Sequence, residues 1–172
     1  MHTHKRFENY PVTTVLVSNV ISLLICGCGF FILYRISIVF SLLYLLYILI
    51  LEYQLLHDHC TKCFYWGKTC GFGQGRLSAL FFRKGDSSQF CSMTLSWKDM
   101  IPDLMVSLIP AVTGIILLIV KFDLYLSAAL AVLIAATTFG NSFVRGNLIC
   151  NYCKQRDIGC PAEKLFNKES KK

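Results

Sequence analysis

The sequence predicts an all-α integral membrane protein with four transmembrane helices, arranged as two repeated helical hairpins that are each followed by a cytosolic C-x2-C-x6-C segment. Three observations support this fold class. Only 16% of the 172 residues are charged and 55% are apolar, whereas soluble domains carry about 25% charged residues. Four apolar stretches reach the length of about 20 residues that a membrane-spanning helix needs. The cysteine pattern occurs twice, each time after two of these stretches.

The four predicted spans cover residues 12–33, 36–56, 101–120 and 124–143. Their apolar residues do not alternate with polar ones, so strands of a β-barrel are not expected. In lipid each segment must satisfy its own backbone hydrogen bonds, and a helix does so. Pro102 is expected in the first turn of the third helix, where a missing N–H is tolerated. Pro110 lies inside that helix and predicts a kink.

The lysines and arginines predict the orientation in the membrane. Of these 17 residues, 15 lie before the first span, between the second and third spans, or after the fourth. These segments share one side, because two spans separate each from the next. The opposite side has only Arg35 and Lys121. The positive-inside rule then predicts a multi-pass protein of the cell membrane with both termini and both cysteine segments in the cytoplasm. No nucleic-acid partner is expected, because no basic helix or RNA-binding aromatic motif occurs.

Six cysteines form an internal repeat. The triplet Cys60, Cys63 and Cys70 has the same spacing as a second triplet 90 positions later in the chain. We therefore predict one membrane domain over residues 1–172, with repeat 1 at 12–91 and repeat 2 at 101–166. Parallel repeats of this kind are related by an axis along the membrane normal. Such an axis would bring the two cysteine segments close together.

The cysteine spacing predicts a metal site. The cytoplasm is reducing, so a framework of structural disulfides is disfavoured there. Two CxxC turns supply the four sulfur ligands that zinc prefers, and iron–sulfur clusters are also held by four protein ligands, usually cysteines. The predicted metal ligands are Cys60, Cys63, Cys70, Cys150, Cys153 and Cys160, with Cys91, His57 and His59 as additional candidates.

Three arrangements of these ligands are compatible with the spacing. Each triplet holds its own site and borrows a fourth ligand, or the two CxxC pairs bind a single ion, or all six cysteines serve one polynuclear site. The dipeptide Cys160-Pro161 resembles the end of bacterial ferredoxin motifs, which favours an iron–sulfur cluster over zinc. The glycine-rich stretch 71–75 after Cys70 is expected either to let backbone amides approach a thiolate or cluster, or to form a flexible turn.

The leading functional hypothesis is a membrane-anchored iron–sulfur component for redox chemistry or electron transfer at the cytosolic membrane surface. Its expected partners are the lipid bilayer and a membrane redox protein or quinone-like carrier, and the chain is expected to form a homodimer or to be a subunit of a larger complex. One alternative is a membrane scaffold or accessory subunit stabilised by zinc. Another is an enzyme with Cys70 or Cys160 as a reactive thiol.

A third alternative is a soft-metal transporter that uses Cys26 and Cys28 of the first span together with the cytosolic thiols. The competing interpretation of the Cys26-Gly27-Cys28-Gly29 sequence is close helix packing through small residues. In the middle loop, apolar residues flanked by Arg76, Arg83 and Lys84 predict a short amphipathic patch on the membrane surface.

Overall fold

The computed structural model describes residues 6–93 and 96–161, without the side chain of residue 97. Within these residues the chain is helical and contains no β-strand. The helices are α1 Val12–Tyr34, α2 Ile38–Gln54, α3 Gln74–Phe81, α4 Ser87–Ser92, α5 Trp97–Val120, α6 Leu124–Ala135, α7 Asn141–Phe143 and α8 Lys154–Gly159.

Four helices are long and apolar enough to cross a membrane, which confirms the predicted number of spans. They cover Val12–Tyr34, Ile38–Lys62, Lys98–Val120 and Leu124–Tyr152. In the most apolar window of each, only 11–17% of the residues are buried inside the protein, so most side chains are available to lipid. The second and fourth helices continue past residues 56 and 143, where the predicted spans end, because additional helical turns carry the chain to the cysteines.

Helix α1 is central to the bundle and packs against α2, α5 and α6. The buried core between these helices contains Ile25, Ile32, Leu126, Leu130 and Leu133. Gly29 allows α2 to approach α1, because a Cβ atom at this position would lie 2.4 Å from the hydroxyl of Tyr44. A Cβ atom at Gly27 would meet nothing within 4 Å. Close packing through a small residue is therefore observed at Gly29 and not at Gly27.

The start of α5 differs from the predicted one. Ser96 and Asp99 form a capping box that satisfies backbone N–H groups at the helix start, so α5 begins at Trp97. The prediction that Pro102 lies in the first turn is therefore wrong, because the helix begins upstream of the apolar run.

The two ends of the bundle differ in construction. At one end the two short interhelical turns are joined by an ion pair between Arg35 and Asp123, and Asp123 also accepts a hydrogen bond of 2.9 Å from the Tyr125 N–H. At the other end, residues 6–10, 60–75 and 149–160 pack together over the helices. We call this assembly the cysteine cap.

Candidate functional site

The N-terminal segment of the cysteine cap contacts both cysteine segments. The Phe7 N–H donates to the carbonyl of Tyr152 at 3.1 Å, and the Tyr10 N–H donates to the carbonyl of Thr69 at 2.9 Å. In return the Thr69 N–H donates to Asn9 Oδ1 at 3.1 Å. Residues 7–10 thus connect the middle loop to the C-terminal segment through the backbone.

The two CxxC pairs have the same local structure. A wide π-helical turn, Leu55–His59 or Val144–Ile149, precedes each pair, and a tight turn of 3-10 helix begins at its first cysteine. In each pair the N–H of the second cysteine donates to the carbonyl of the first at 3.4 Å. The chain then becomes extended at Cys63 and Cys153. The second cysteine of each pair is therefore the first extended residue after the helical turn.

Two buried side chains connect the segments by reciprocal hydrogen bonds. Tyr65 Oη accepts the backbone N–H of Lys154 at 2.9 Å, and Gln155 Oε1 accepts the backbone N–H of Phe64 at 2.8 Å. Tyr65 and Gln155 are 3% and 4% exposed, and they are separated by the same 90 positions as the cysteines. Tyr65 also donates to the carbonyl of Phe7 at 2.7 Å. Each segment thus supplies a side chain that satisfies a backbone N–H of the other.

Gln155 was not among the predicted site residues. An isolated glutamine carries no motif, and its partner at the matching position is a tyrosine rather than another glutamine. The signal that identifies the pair is the shared offset together with burial, and burial is visible only in the structure.

Four of the predicted ligands line one cavity of about 190 Å³ between the two segments. These are Cys60, Cys63, Cys70 and Cys153, and His59 lines the same cavity. The remaining walls are mainly aromatic and aliphatic, and they include Tyr10, Tyr65, Phe72, Phe90 and Ile149. The structure therefore places four thiols and one imidazole around a single, largely apolar space.

Two of the cavity thiols, those of Cys63 and Cys153, are held in their neutral form by their surroundings. Burial raises the pKa of Cys63 to about 11, and the neighbouring thiols of Cys153 and Cys70 act in the same direction. Burial also raises the pKa of Cys153. A buried thiolate is costly without a cation, so both groups carry their protons at neutral pH when no metal is bound.

One backbone amide already points to a cavity sulfur. The N–H of Gly75 donates to Cys70 Sγ at 3.3 Å, which confirms the predicted approach of an amide from the glycine-rich stretch. Hydrogen bonds of this kind stabilise cysteine sulfurs in metal clusters and adjust their redox potential. A side chain at position 75 would collide with the Tyr65 carbonyl oxygen, which lies 2.2 Å from the Cβ position.

The other predicted ligands lie around the cavity or away from it. Cys150 is exposed, and Cys160 is near enough to Cys63 and Cys153 for their charges to interact. Cys91 Sγ donates to the carbonyl of Ile158 at 3.7 Å. His57 does not line the cysteine cavity, because its ring faces a second pocket.

The thiols are close to one another without forming a completed metal site. None of the nine cysteines, all of which belong to the described residues, is in a disulfide. Among residues 6–93 and 96–161, no three His, Cys, Asp or Glu side chains stand in a metal-coordinating arrangement. Binding an ion would therefore draw the cavity thiols toward one another. No known family model, curated protein or solved structure matches this chain.

Proposed function

We propose that this protein is a membrane-anchored metal-binding protein, whose cysteine cap holds an iron–sulfur cluster and transfers electrons at the cytosolic membrane surface. The observation that carries the proposal is the cavity of about 190 Å³ lined by four thiols and His59. Thiolates select soft metals and iron–sulfur clusters. The apolar walls would limit access of water, which is one of the factors that set a cluster's redox potential.

The arrangement of the cap supports an origin from two copies of one unit. The matched π-helical and 3-10 turns and the reciprocal hydrogen bonds of Tyr65 and Gln155 all repeat at the cysteine offset. These features favour two hairpins related by a pseudo-twofold axis along the membrane normal. The axis would pass between the CxxC turns, and the ligands would come from both copies.

Metal binding would change the charge of the cavity. Cys63 and Cys153 would release their protons, because only thiolates act as strong ligands. Lys68 and Lys154 lie nearby, with their ammonium groups 4.1 and 5.2 Å from the centre of the Phe64 ring. These cations would offset part of the negative charge. A bound cluster would supply one-electron chemistry, and a membrane protein or quinone-like carrier would be the partner.

The test is anaerobic purification of the full chain, followed by iron, sulfide and zinc analysis and a visible spectrum. We expect iron and sulfide together with broad visible absorption that bleaches on reduction. Cys63→Ser and Cys153→Ser should lose the absorption. Cys26→Ser, which changes a thiol of α1 that is not part of the cap, should retain it. A metal-free chain with the six cap thiols reduced would contradict the proposal.

A zinc-stabilised scaffold or accessory subunit is the second candidate. It is favoured by the fact that the cap already joins three segments of the chain, because a closed zinc site would strengthen such a junction without performing chemistry. A colourless protein with stoichiometric zinc would support this candidate and contradict the iron–sulfur proposal. In that case removal of zinc with a chelator should destabilise the folded cap, and the protein should show no electron-transfer activity before or after the removal.

The transporter hypothesis has a direct test in α1. Cys28 packs against the buried core of the bundle, which favours a packing role for this cysteine. If the metal is held in the cysteine cap, Cys26→Ser should leave cellular metal uptake and resistance unchanged. A loss of either in this variant would instead support a transport pathway.

A further inference from the structure

A second pocket lies beside the cysteine cap, at the end of the second membrane helix. It has a volume of about 310 Å³. One wall comes from the helix end, with His57, Asp58 and Lys62, and the other from the segment after α3, with Phe82, Arg83 and Gly85. None of these residues lines the cysteine cavity.

The two walls are held together by defined contacts. The Gly85 N–H donates to the carbonyl of Thr61 at 3.0 Å. The edge of the Phe82 ring packs on Tyr53 and His57, with ring centres 5.6 and 5.4 Å apart. These contacts fix the position of the two chain segments that form the pocket.

The charges in the pocket favour an anion. Lys62 and Arg83 supply two cations. The single carboxylate, that of Asp58, is hydrogen-bonded to His57 Nδ1 at 2.8 Å, so its charge is partly compensated locally. A guanidinium group binds phosphate oxygens through two parallel hydrogen bonds, which makes arginine well suited to phosphate recognition.

The position of the pocket favours a phosphate that belongs to a lipid. Lys62 is the last residue of the second membrane span, so the pocket lies at the level of the headgroups. Helix α3 leads directly into Phe82 and exposes apolar side chains just before it, with Leu80 and Phe81 79% and 71% exposed. Exposed apolar side chains beside cations are typical of helices that lie in the membrane interface.

We propose that this pocket binds the phosphate headgroup of an anionic phospholipid, and that Leu80 and Phe81 contact its acyl chains. The two pockets share no lining residue, so lipid binding here does not require the metal proposed for the cysteine cavity. It would anchor the middle loop, and with it the first cysteine segment, to the membrane surface.

The test is native mass spectrometry of the full chain in detergent, titrated with phosphatidylglycerol or phosphatidylcholine. Wild-type protein should retain phosphatidylglycerol preferentially. Arg83→Gln should weaken that retention about five-fold, which corresponds to the loss of one cation at an anionic surface. Lys84→Gln removes the neighbouring exposed charge outside the pocket and should retain the lipid like wild type. Lys62→Gln should weaken retention as Arg83→Gln does, which provides a second variant if one fails to fold.

Three results would overturn the proposal. Equal retention of the two lipids would show that the pocket does not select an anion, and equal losses in Arg83→Gln and Lys84→Gln would show that only general surface charge matters. Displacement of the lipid by an equal concentration of glycerol phosphate would identify a free phosphate ester as the ligand instead. Metal content measured on the same samples separates this outcome from any failure of the metal proposal.

Discussion

Tyr65 and Gln155 are the two side chains that most directly join the halves of the cysteine cap. Each is almost fully buried, and each accepts a backbone N–H from the opposite segment. An unpaired buried N–H costs about 1–3 kcal/mol. The two residues therefore carry more of the cap's stability than their size suggests.

We predict that Gln155→Leu lowers the free energy of unfolding by about 1–3 kcal/mol, because the partly buried Phe64 N–H would lose its acceptor. Thermal or denaturant unfolding of the metal-free protein in detergent measures this change. Gln89→Leu is the matched control, because Gln89 is exposed and its replacement should change stability by less than about 0.5 kcal/mol. Equal effects of the two substitutions would contradict the assigned role of Gln155.

The sequence predicted that thiols of both segments lie close together, because the cysteine triplets repeat at one offset. The same spacing did not show that Cys70 lines the cavity while Cys150 is exposed. That difference depends on how the two loops pack, and the loops diverge after their CxxC turns. The first continues through the glycine-rich stretch to α3, whereas the second enters α8 directly.

Helices α2 and α5 are joined by a hydrogen bond that compensates for a proline. Pro110 lies fully buried inside α5, and because it lacks an N–H it cannot donate to the carbonyl of Val106 one turn earlier. The hydroxyl of Tyr44 donates to that carbonyl at 2.8 Å. Within a membrane an unsatisfied carbonyl is costly. The hydroxyl of Tyr44 therefore replaces the hydrogen bond that Pro110 cannot donate.

We predict that Tyr44→Phe lowers the free energy of unfolding by about 1–3 kcal/mol in the wild-type background. In the Pro110→Ala background the loss should be much smaller, because the restored N–H of residue 110 would bond to Val106. A double-mutant cycle of unfolding in detergent measures this coupling. Additive effects of the two substitutions would contradict the compensation, and Tyr34→Phe, at an exposed tyrosine of α1, serves as the control.

The four membrane helices were predictable because apolar runs of sufficient length have few alternatives in a bilayer. The ends of these helices at the cysteine cap were less predictable. The second and fourth helices continue through π-helical turns whose sequences, such as residues 55–59 and 144–149, contain polar and charged residues. Contacts made by other segments stabilise these turns, including the bond of 2.7 Å from Tyr10 Oη to the carbonyl of Ile149. Hydropathy alone does not report such contacts.

For the molecule as a whole, the buried thiol and hydroxyl groups of the cap make the free energy of unfolding fall at alkaline pH. Burial raises the pKa of Cys63 from 9.0 to about 11 and that of Tyr65 from 10.0 to about 12. Above pH 9 the unfolded chain releases protons that the folded protein still holds. Rising pH therefore favours the unfolded state, and the stabilisation present below pH 9 is lost as pH passes through the folded values.

We predict that the free energy of unfolding of the metal-free protein falls between pH 9 and pH 11 by an amount on the order of 2 kcal/mol. Unfolding in detergent across this pH range measures the effect. Cys63→Ser should make the fall in the free energy of unfolding just above pH 9 less steep. Cys26→Ser should leave the part of this fall that comes from the cap unchanged. A stability that stays constant or rises up to pH 11 would contradict the assigned burial of these groups.

The N-terminal segment has a consequence for how the protein is made. Phe7 and Tyr10 form backbone hydrogen bonds to Tyr152 and Thr69, so a segment that precedes the first membrane helix has one of its partners at the end of the fourth. The cap therefore closes only after both hairpins have been inserted into the bilayer. Until then the thiols of the middle loop are not covered by the C-terminal segment, and an ion of the kind proposed above would reach them most easily during this interval.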